Sequence, residues 1–279
     1  MEVFSGFKKV AAIMFVVMMV GVRVEGEDPD LLTDFDLSSG ATIDGNFFTF
    51  KGLTGVDSNS TASGSIKISR ASEQEFPGLM GLGGSNNVCS GDGGVSVEGA
   101  DPDLLTDFNL SSGATIDGNF FTFKGLRGVG TNSTASGSIK ISRASQQEFP
   151  GLMGLGVSYA FFELGANSVV PPHYHPRASE LHLILEGSLT VAFVDTTNKL
   201  FNKTLFAGDM FVFPKGMVHY QINLDMYKPV FAISAFGSAN PGTVLVPSTL
   251  FGSGIADLVL QKSFMISPET LSMLKAPFL

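Results

Sequence analysis

Three of the four histidines in this 279-residue chain fall into one pattern with a carboxylate. His173 and His175 stand two apart in the stretch Pro171-Pro172-His173-Tyr174-His175-Pro176-Arg177. Glu180 follows five residues after His175, and His219 closes a second stretch that begins at Gly208. On extended chain, residues two apart point to one face, so His173 and His175 present their imidazoles together. Glu180 opens the next strand and His219 a later one, and ligands from several strands can converge inside a small barrel. Three imidazoles and a carboxylate are a metal-binding set. A six-coordinate ion held by these four keeps about two positions open, as in the octahedral sites that suit manganese. Open positions admit water, dioxygen or a small anion. Zinc, iron and copper also accept imidazole, so spacing leaves the metal open. A single His-x-His is most often an ordinary polar pair; the Pro and Gly punctuation and the fourth ligand distinguish this one. His182 shares strand parity with Glu180 and should face the same interior. It is a partner behind the ligands, a pocket base, or a satisfied core histidine.

The elements that must position these residues read as strands. A strand is expected over 157–164, then at Leu181 to Leu185, Ser188 to Val194, Lys203 to Phe206, Met210 to Phe213, His219 to Ile222 and Val230 to Phe236, separated by glycines and by Asp-Thr-Thr-Asn-Lys at 195–199. Many short strands without an intervening helical period mean a sandwich or barrel. Helix is expected only at the end, over Gly254 to Ser263 and again after Ser267, a good N-cap with Pro268 at the first helical position. The fold class is all-β: a barrel with short C-terminal helices and a duplicated N-terminal segment.

That duplication is nearly perfect. Val22 to Gly83 aligns with Val95 to Gly156 at an offset of 73, and seven of the 62 positions differ. Two copies are too few for a solenoid. Each copy holds a turn signal, Asp44-Gly45-Asn46 or Asp117-Gly118-Asn119, before a Phe-rich stretch, and an alternating strand, Gly64 to Ser69 or Gly137 to Ser142. A glycine-rich polar linker, Gly84 to Gly94, separates the copies. Copy 2 runs directly into the strand at 157–164, which closes the shorter loop. Copy 1 is therefore expected outside the barrel, competing weakly or pairing with another subunit, with Phe47, Phe48 and Phe50 as an exposed apolar liability. A faulty gene model would also account for it. The expected organisation is a signal peptide at 1–26, the extra copy and linker at 27–99, loosely structured, the barrel at 100–250, and a C-terminal helical oligomerisation segment at 251–279.

Lys8 and Lys9 precede a 13-residue apolar run, Val10 to Val22. Spanning a bilayer takes about 20 residues, so this reads as a secretory signal cut after Gly26 rather than a transmembrane span. Sequons at Asn59, Asn109, Asn132 and Asn202 are then candidate glycan sites. The lone cysteine, Cys89, excludes an internal disulfide and leaves a free thiol, an intermolecular pair or an inert linker residue. A net charge of −9 argues against nucleic acid and anionic membrane surfaces.

His-Tyr-His-Pro-Arg-Ala-Ser-Glu, followed after six residues by Gly187, resembles the first box of the germin family within the cupin superfamily. Gly208, Pro214, Gly216, His219 and Asn223 resemble the second box; Ala239 to Gly242 and Leu250 to Ser253 are weaker matches. The resemblance spans about residues 100–279. It implies a jelly-roll barrel, Mn2+ held by His173, His175, Glu180 and His219, and a secreted protein of the plant apoplast. It also implies a homo-hexamer built as a trimer of dimers through the terminal helices. Family activities include oxalate oxidation, superoxide dismutation and nucleotide-sugar hydrolysis, alongside members without proven catalysis. The enzyme expectation is superoxide dismutation with a defence role. The alternative is a non-catalytic wall-associated or storage-type protein in which the metal is structural. Three departures bear on this. Asp36 and Asn109 stand where the family carries the first cysteine of an N-terminal disulfide, and the second is missing near Phe121 to Phe123. Asn167 replaces the glycine that opens the first box, which asparagine can do because it tolerates positive φ. Ala160 and Val170 stand where oxalate-oxidising members place two asparagines, so oxalate oxidase activity is not expected.

Overall fold

The computed structural model of the chain describes residues 44–51, 117–127, 129–130 and 135–278. The proposed signal segment, the linker, Cys89, the copy 1 strand at 64–69 and the sequons at Asn59, Asn109 and Asn132 lie outside them. Eleven strands form among the described residues: β1 (Thr49–Phe50), β2 (Ile139–Ala144), β3 (Ser158–Leu164), β4 (Ser168–Tyr174), β5 (Glu180–Glu186), β6 (Ser188–Val194), β7 (Leu200–Phe206), β8 (Met210–Phe213), β9 (Val218–Asn223), β10 (Val230–Phe236) and β11 (Val244–Leu245). They make two antiparallel sheets, ordered β1-β8-β5-β10-β3-β2 and β11-β4-β9-β6-β7. Phe162, Leu183, Ile184, Leu189, Val191, Phe193, Phe211 and Phe213 pack into the core between them. This is the expected all-β jelly roll.

The turns explain where strands stop. Asn167 has φ 54°, so the asparagine does adopt the left-handed conformation expected of it. Gly187, between β5 and β6, has φ 89°, and a Cβ there would lie 2.9 Å from the Pro229 carbonyl oxygen, so both conformation and space require glycine. Asn223, at the end of β9, donates through its amide nitrogen to the Gly165 and Lys228 carbonyls at 2.9 and 2.8 Å, tying two loops together.

Three α-helices follow β11, and the last runs into a 3-10 turn at Ala276–Phe278. α1 (Val246–Phe251) was not expected and begins before residue 251, so the helical segment starts earlier than the sequence indicates. Pro247 in its first turn is compatible with helix, yet no side chain caps it. α2 spans Asp257–Phe264. In α3 (Pro268–Lys275) the Ser267 side chain accepts from the Thr270 amide, the expected N-cap.

Copy 1 departs from expectation. Its residues 44–51 are in the barrel, not outside it. Thr49 and Phe50 pair with Phe211 and Met210 of β8, and Phe48 is fully buried against Phe193 and Phe201. The fit is close: a Cβ on Gly45 would lie 2.1 Å from the Asn202 carbonyl oxygen, and Lys203 donates to Asn46 Oδ1. The identical octapeptide of copy 2, Asp117 to Lys124, builds the same turn, with Asn119 N donating to Asp117 Oδ1 at 2.8 Å as Asn46 N does to Asp44 Oδ1. It sits elsewhere. Phe121, the counterpart of Phe48, is 45% exposed, and Gly118 has open space around it. The apolar liability therefore falls on copy 2.

The two copies join the sheet at different places. Copy 2 provides β2, at the opposite edge of the six-stranded sheet from β1. Its Phe-rich stretch, 15 residues before β2, would have to cross that whole sheet, whereas 88 residues separate Phe50 from β2. The loop-closure advantage of the shorter connection is only about 1.5 kcal/mol, at about 0.6 kcal/mol per doubling of length. Burial of the Phe48 ring beside β8 contributes more than that difference in loop closure.

Candidate metal centre

The chain positions its four candidate ligands on both sheets. Pro171 and Pro172 have no N–H to give to a ladder, and the β4–β9 register shifts between Val170 and His173. Past that irregularity His173 lies directly opposite His219 of β9. His175 follows the end of β4. Glu180 is the first residue of β5, across the sandwich, paired with Phe213 of β8 and Phe236 of β10. One ligand atom from each of His173, His175, Glu180 and His219 lies within 4.8 Å of all the others. All four are buried: His173 is 3% exposed, His175 6%, Glu180 0% and His219 1%. The sequence predicted this set, and the fold brings all of it together.

Hydrogen bonds orient the rings. His173 Nδ1 is 2.8 Å from the Pro171 carbonyl oxygen, His175 Nδ1 2.5 Å from that of Gly242, and His219 Nδ1 2.8 Å from that of Met217. A carbonyl can only accept, so each Nδ1 carries the proton and each Nε2 points inward as a potential donor of electron pairs. Arg177 reinforces this from outside: its Nε and Nη2 donate to the Asn240 carbonyl and Oδ1 at 2.5 and 2.8 Å, holding the loop that presents Gly242. Phe213 stacks on His219 with centroids 4.4 Å apart, and Phe236 meets His175 edge-on at 4.8 Å, closing the site with apolar walls.

The electrostatics fit a cation. His175 Nε2 is 3.0 Å and His219 Nε2 3.3 Å from Glu180 Oε2. With Nδ1 already donating, two ring nitrogens facing one carboxylate oxygen need a positive charge between them. In the protein alone a proton supplies it. Burial is the largest single influence and opposes charge on His175, but the hydrogen bond it donates to Glu180, that carboxylate's charge and the Gly242 carbonyl together outweigh burial and raise its pKa. Burial would also raise Glu180, yet the facing imidazoles of His175, His182 and His219 hold it well below the usual carboxylate range. His173 is pushed down to about 4 by burial and by neighbouring His219, so it stays neutral with its Nε2 free to ligate. His219 Nε2 has no hydrogen-bond partner among the described residues. A divalent ion at the centre would satisfy all of these groups at once.

His182 is fully buried on the same face as Glu180, as parity indicated. It does not join the ligand set. Its Nδ1 is 2.7 Å from Ser234 Oγ, and its ring lies edge-on to Phe162 and Phe213. Two polar residues of this interior escaped the sequence reading. Gln221 of β9 is fully buried with neither amide atom partnered among the described residues; its parity with His219 was the available signal. Ser234 of β10 sits in the run Val230 to Phe236, where nothing in the sequence marks it. Ala160 and Val170 are both buried and supply no hydrogen-bonding side chain. Of the sequons, Asn202 is exposed on β7.

A two-sheet jelly roll holding an inward-facing His/Glu cluster is the cupin architecture, and a family model described as Cupin matches residues 129–272. The chain is 50% identical over 185 residues to "Putative germin-like protein 9-2" of Oryza sativa subsp. japonica, covering 64% of this chain and 86% of that protein. It is 41% identical over 193 residues to "Germin-like protein subfamily T member 2" of Arabidopsis thaliana, covering 64% and 87%. Among solved structures, an oxalate oxidase in complex with the substrate analogue glycolate matches with a TM-score of 0.57 at 31% identity, over 64% of this chain and 98% of that one. The chain belongs to the germin-like family of the cupin superfamily.

Proposed function

We propose that this protein is a secreted germin-like protein that binds one Mn2+ through His173 Nε2, His175 Nε2, Glu180 Oε2 and His219 Nε2, and that it acts on superoxide. The observation that carries the metal reading is the convergence of three carbonyl-anchored imidazoles on one carboxylate oxygen in a buried site. Manganese, when bound, supplies one-electron chemistry at positions open to a small anion. The chain's residues do the rest. The three carbonyls fix the ring tautomers, Phe213 and Phe236 exclude bulk water, and the amide of Gln221, unpartnered among the described residues and about 7 Å along β9 from His219, offers a hydrogen bond to a small ligand.

Oxalate oxidation is not the proposed activity, despite the likeness to an oxalate oxidase. Oxalate needs hydrogen-bond donors to replace its hydration, and Ala160 and Val170 supply none. Secretion rests on Lys8-Lys9 and the short apolar run after them. No helix among the described residues is long and apolar enough to cross a membrane. The hexamer reading is supported by the exposed apolar residues of the C-terminal helical segment: Leu258, Val259, Phe264, Met265 and Met273.

The test is metal analysis of the secreted protein followed by superoxide turnover, with His219→Ala as control. Manganese near one per chain and turnover that vanishes in the variant are expected. Manganese without turnover would leave the metal a structural role and refute the enzymatic half. A folded protein with no affinity for divalent ions would refute both halves.

A further inference from the structure

The two oxygens of Glu180 have different surroundings. Oε2 faces His175 and His219. Oε1 accepts from Ser234 Oγ at 2.5 Å and lies 3.3 Å from His182 Nδ1. Ser234 and His182 are direct register partners across β10 and β5, two residues from the Glu180–Phe236 pair, and both are fully buried. The contacts are therefore built into the sheet rather than made by a loop.

Proton directions follow from chemistry. A carboxylate oxygen only accepts, so the single Ser234 hydroxyl proton goes to Glu180 Oε1. Ser234 Oγ must then accept at 2.7 Å from His182, which places the His182 proton on Nδ1. His182 Nε2 is left as a buried acceptor with no hydrogen-bond partner among the described residues. Leaving a buried acceptor unpaired is unfavourable, because it gives up its hydrogen bond to water and gains none. A chain selected only for core packing would have little use for a serine and a histidine here. Their joint product is an occupied Oε1.

Resting on the metal-binding reading, we propose that Ser234 and His182 are positioning residues that hold Glu180 through Oε1, so that it presents Oε2 alone to the metal. The carboxylate is then monodentate. Three imidazoles and one oxygen form the set, and the position a bidentate glutamate would occupy stays open for a small ligand. His182 is accordingly not a pocket base: its proton is committed to Ser234, and its other nitrogen lies among Phe162 and Phe213.

The experiment uses the full chain, stripped with chelator and reloaded with Mn2+. Affinity is measured by titration calorimetry, and the bound ion by electron paramagnetic resonance. Ser234→Ala and His182→Leu should each weaken Mn2+ binding about 10- to 100-fold, as loss of a group behind a ligand typically does. They should also change the Mn2+ spectrum, because a freed Oε1 can join the coordination. Ser234→Thr and His182→Asn, which keep the hydroxyl and an N–H donor, should restore both. A merely structural role would lower the melting temperature of metal-free protein and leave the spectrum of bound Mn2+ as in wild type. Alanine and leucine variants with wild-type affinity and superposable spectra would overturn the positioning role while the metal site stands. A wild-type protein that takes up no divalent ion would overturn the metal reading and this inference with it.

Discussion

Phe48 offers the sharpest test of how the duplicated segment is used. Truncating it to alanine removes a fully buried ring that meets Phe193 at 4.8 Å, Phe201 at 5.2 Å and Phe211 at 6.2 Å. Buried Phe→Ala substitutions typically cost about 3–5 kcal/mol, the transfer of the ring plus the cavity it leaves. At about 2–4 °C per kcal/mol for a domain of this size, Phe48→Ala should lower the melting temperature by about 6–20 °C. Phe121→Ala changes the same residue of the same octapeptide in copy 2. With its ring 45% exposed, it should cost no more than about 0.5 kcal/mol. Chemical denaturation of the two variants, followed by far-UV circular dichroism at matched metal content, measures both costs. The reasoning is refuted if Phe121→Ala is the more damaging change. It is also refuted if Phe48→Ala is mild and only the double variant loses the full amount, since copy 2 would then be filling the place beside β8. Deletion of residues 27–99 probes the same point, because it takes β1 out of the sheet.

Removing the metal with a chelator should lower the melting temperature, and readdition of Mn2+ should restore it, since an ion that binds only the folded chain stabilises it by mass action. The neutral His173 gives metal-free protein a defined pH response. Its folded pKa of about 4 lies below the ordinary 6.5, so the unfolded chain binds the extra proton. This contribution is fully present above about pH 6.5 and is lost as pH falls towards 4. In His173→Gln the fall in melting temperature over that window should be smaller than in wild type; an unchanged slope would refute the assignment. Hydrogen peroxide release from oxalate should be negligible, and a rate comparable with a true oxalate oxidase would show that Ala160 and Val170 are not decisive. Replacing Leu258 and Phe264 with aspartate should shift the protein to smaller assemblies in light scattering, and an unchanged mass would exclude α2 from the interfaces.

The sequence by itself determined the local things. Strand period, turn residues and caps follow from nearest neighbours along the chain. Accordingly β6, β8 and β10 fall where the glycines and turn residues bound them, Asn167 adopts positive φ, and Ser267 caps α3. The four candidate ligands were legible for the same reason: their types and spacing encode chemistry without any knowledge of pairing. Only the tertiary structure decided what depends on which strand lies beside which. That His173 faces His219 across β4 and β9, and that Ser234 faces His182 behind Glu180, are facts of register between segments 46 and 52 residues apart. The duplicated octapeptide makes the limit plainest. Asp44 to Lys51 and Asp117 to Lys124 are the same eight residues making the same turn, so no local property can tell them apart. One buries its phenylalanine and the other exposes it because the sheet has one place beside β8 and copy 1 fills it, a pairing between distant segments that neither octapeptide encodes.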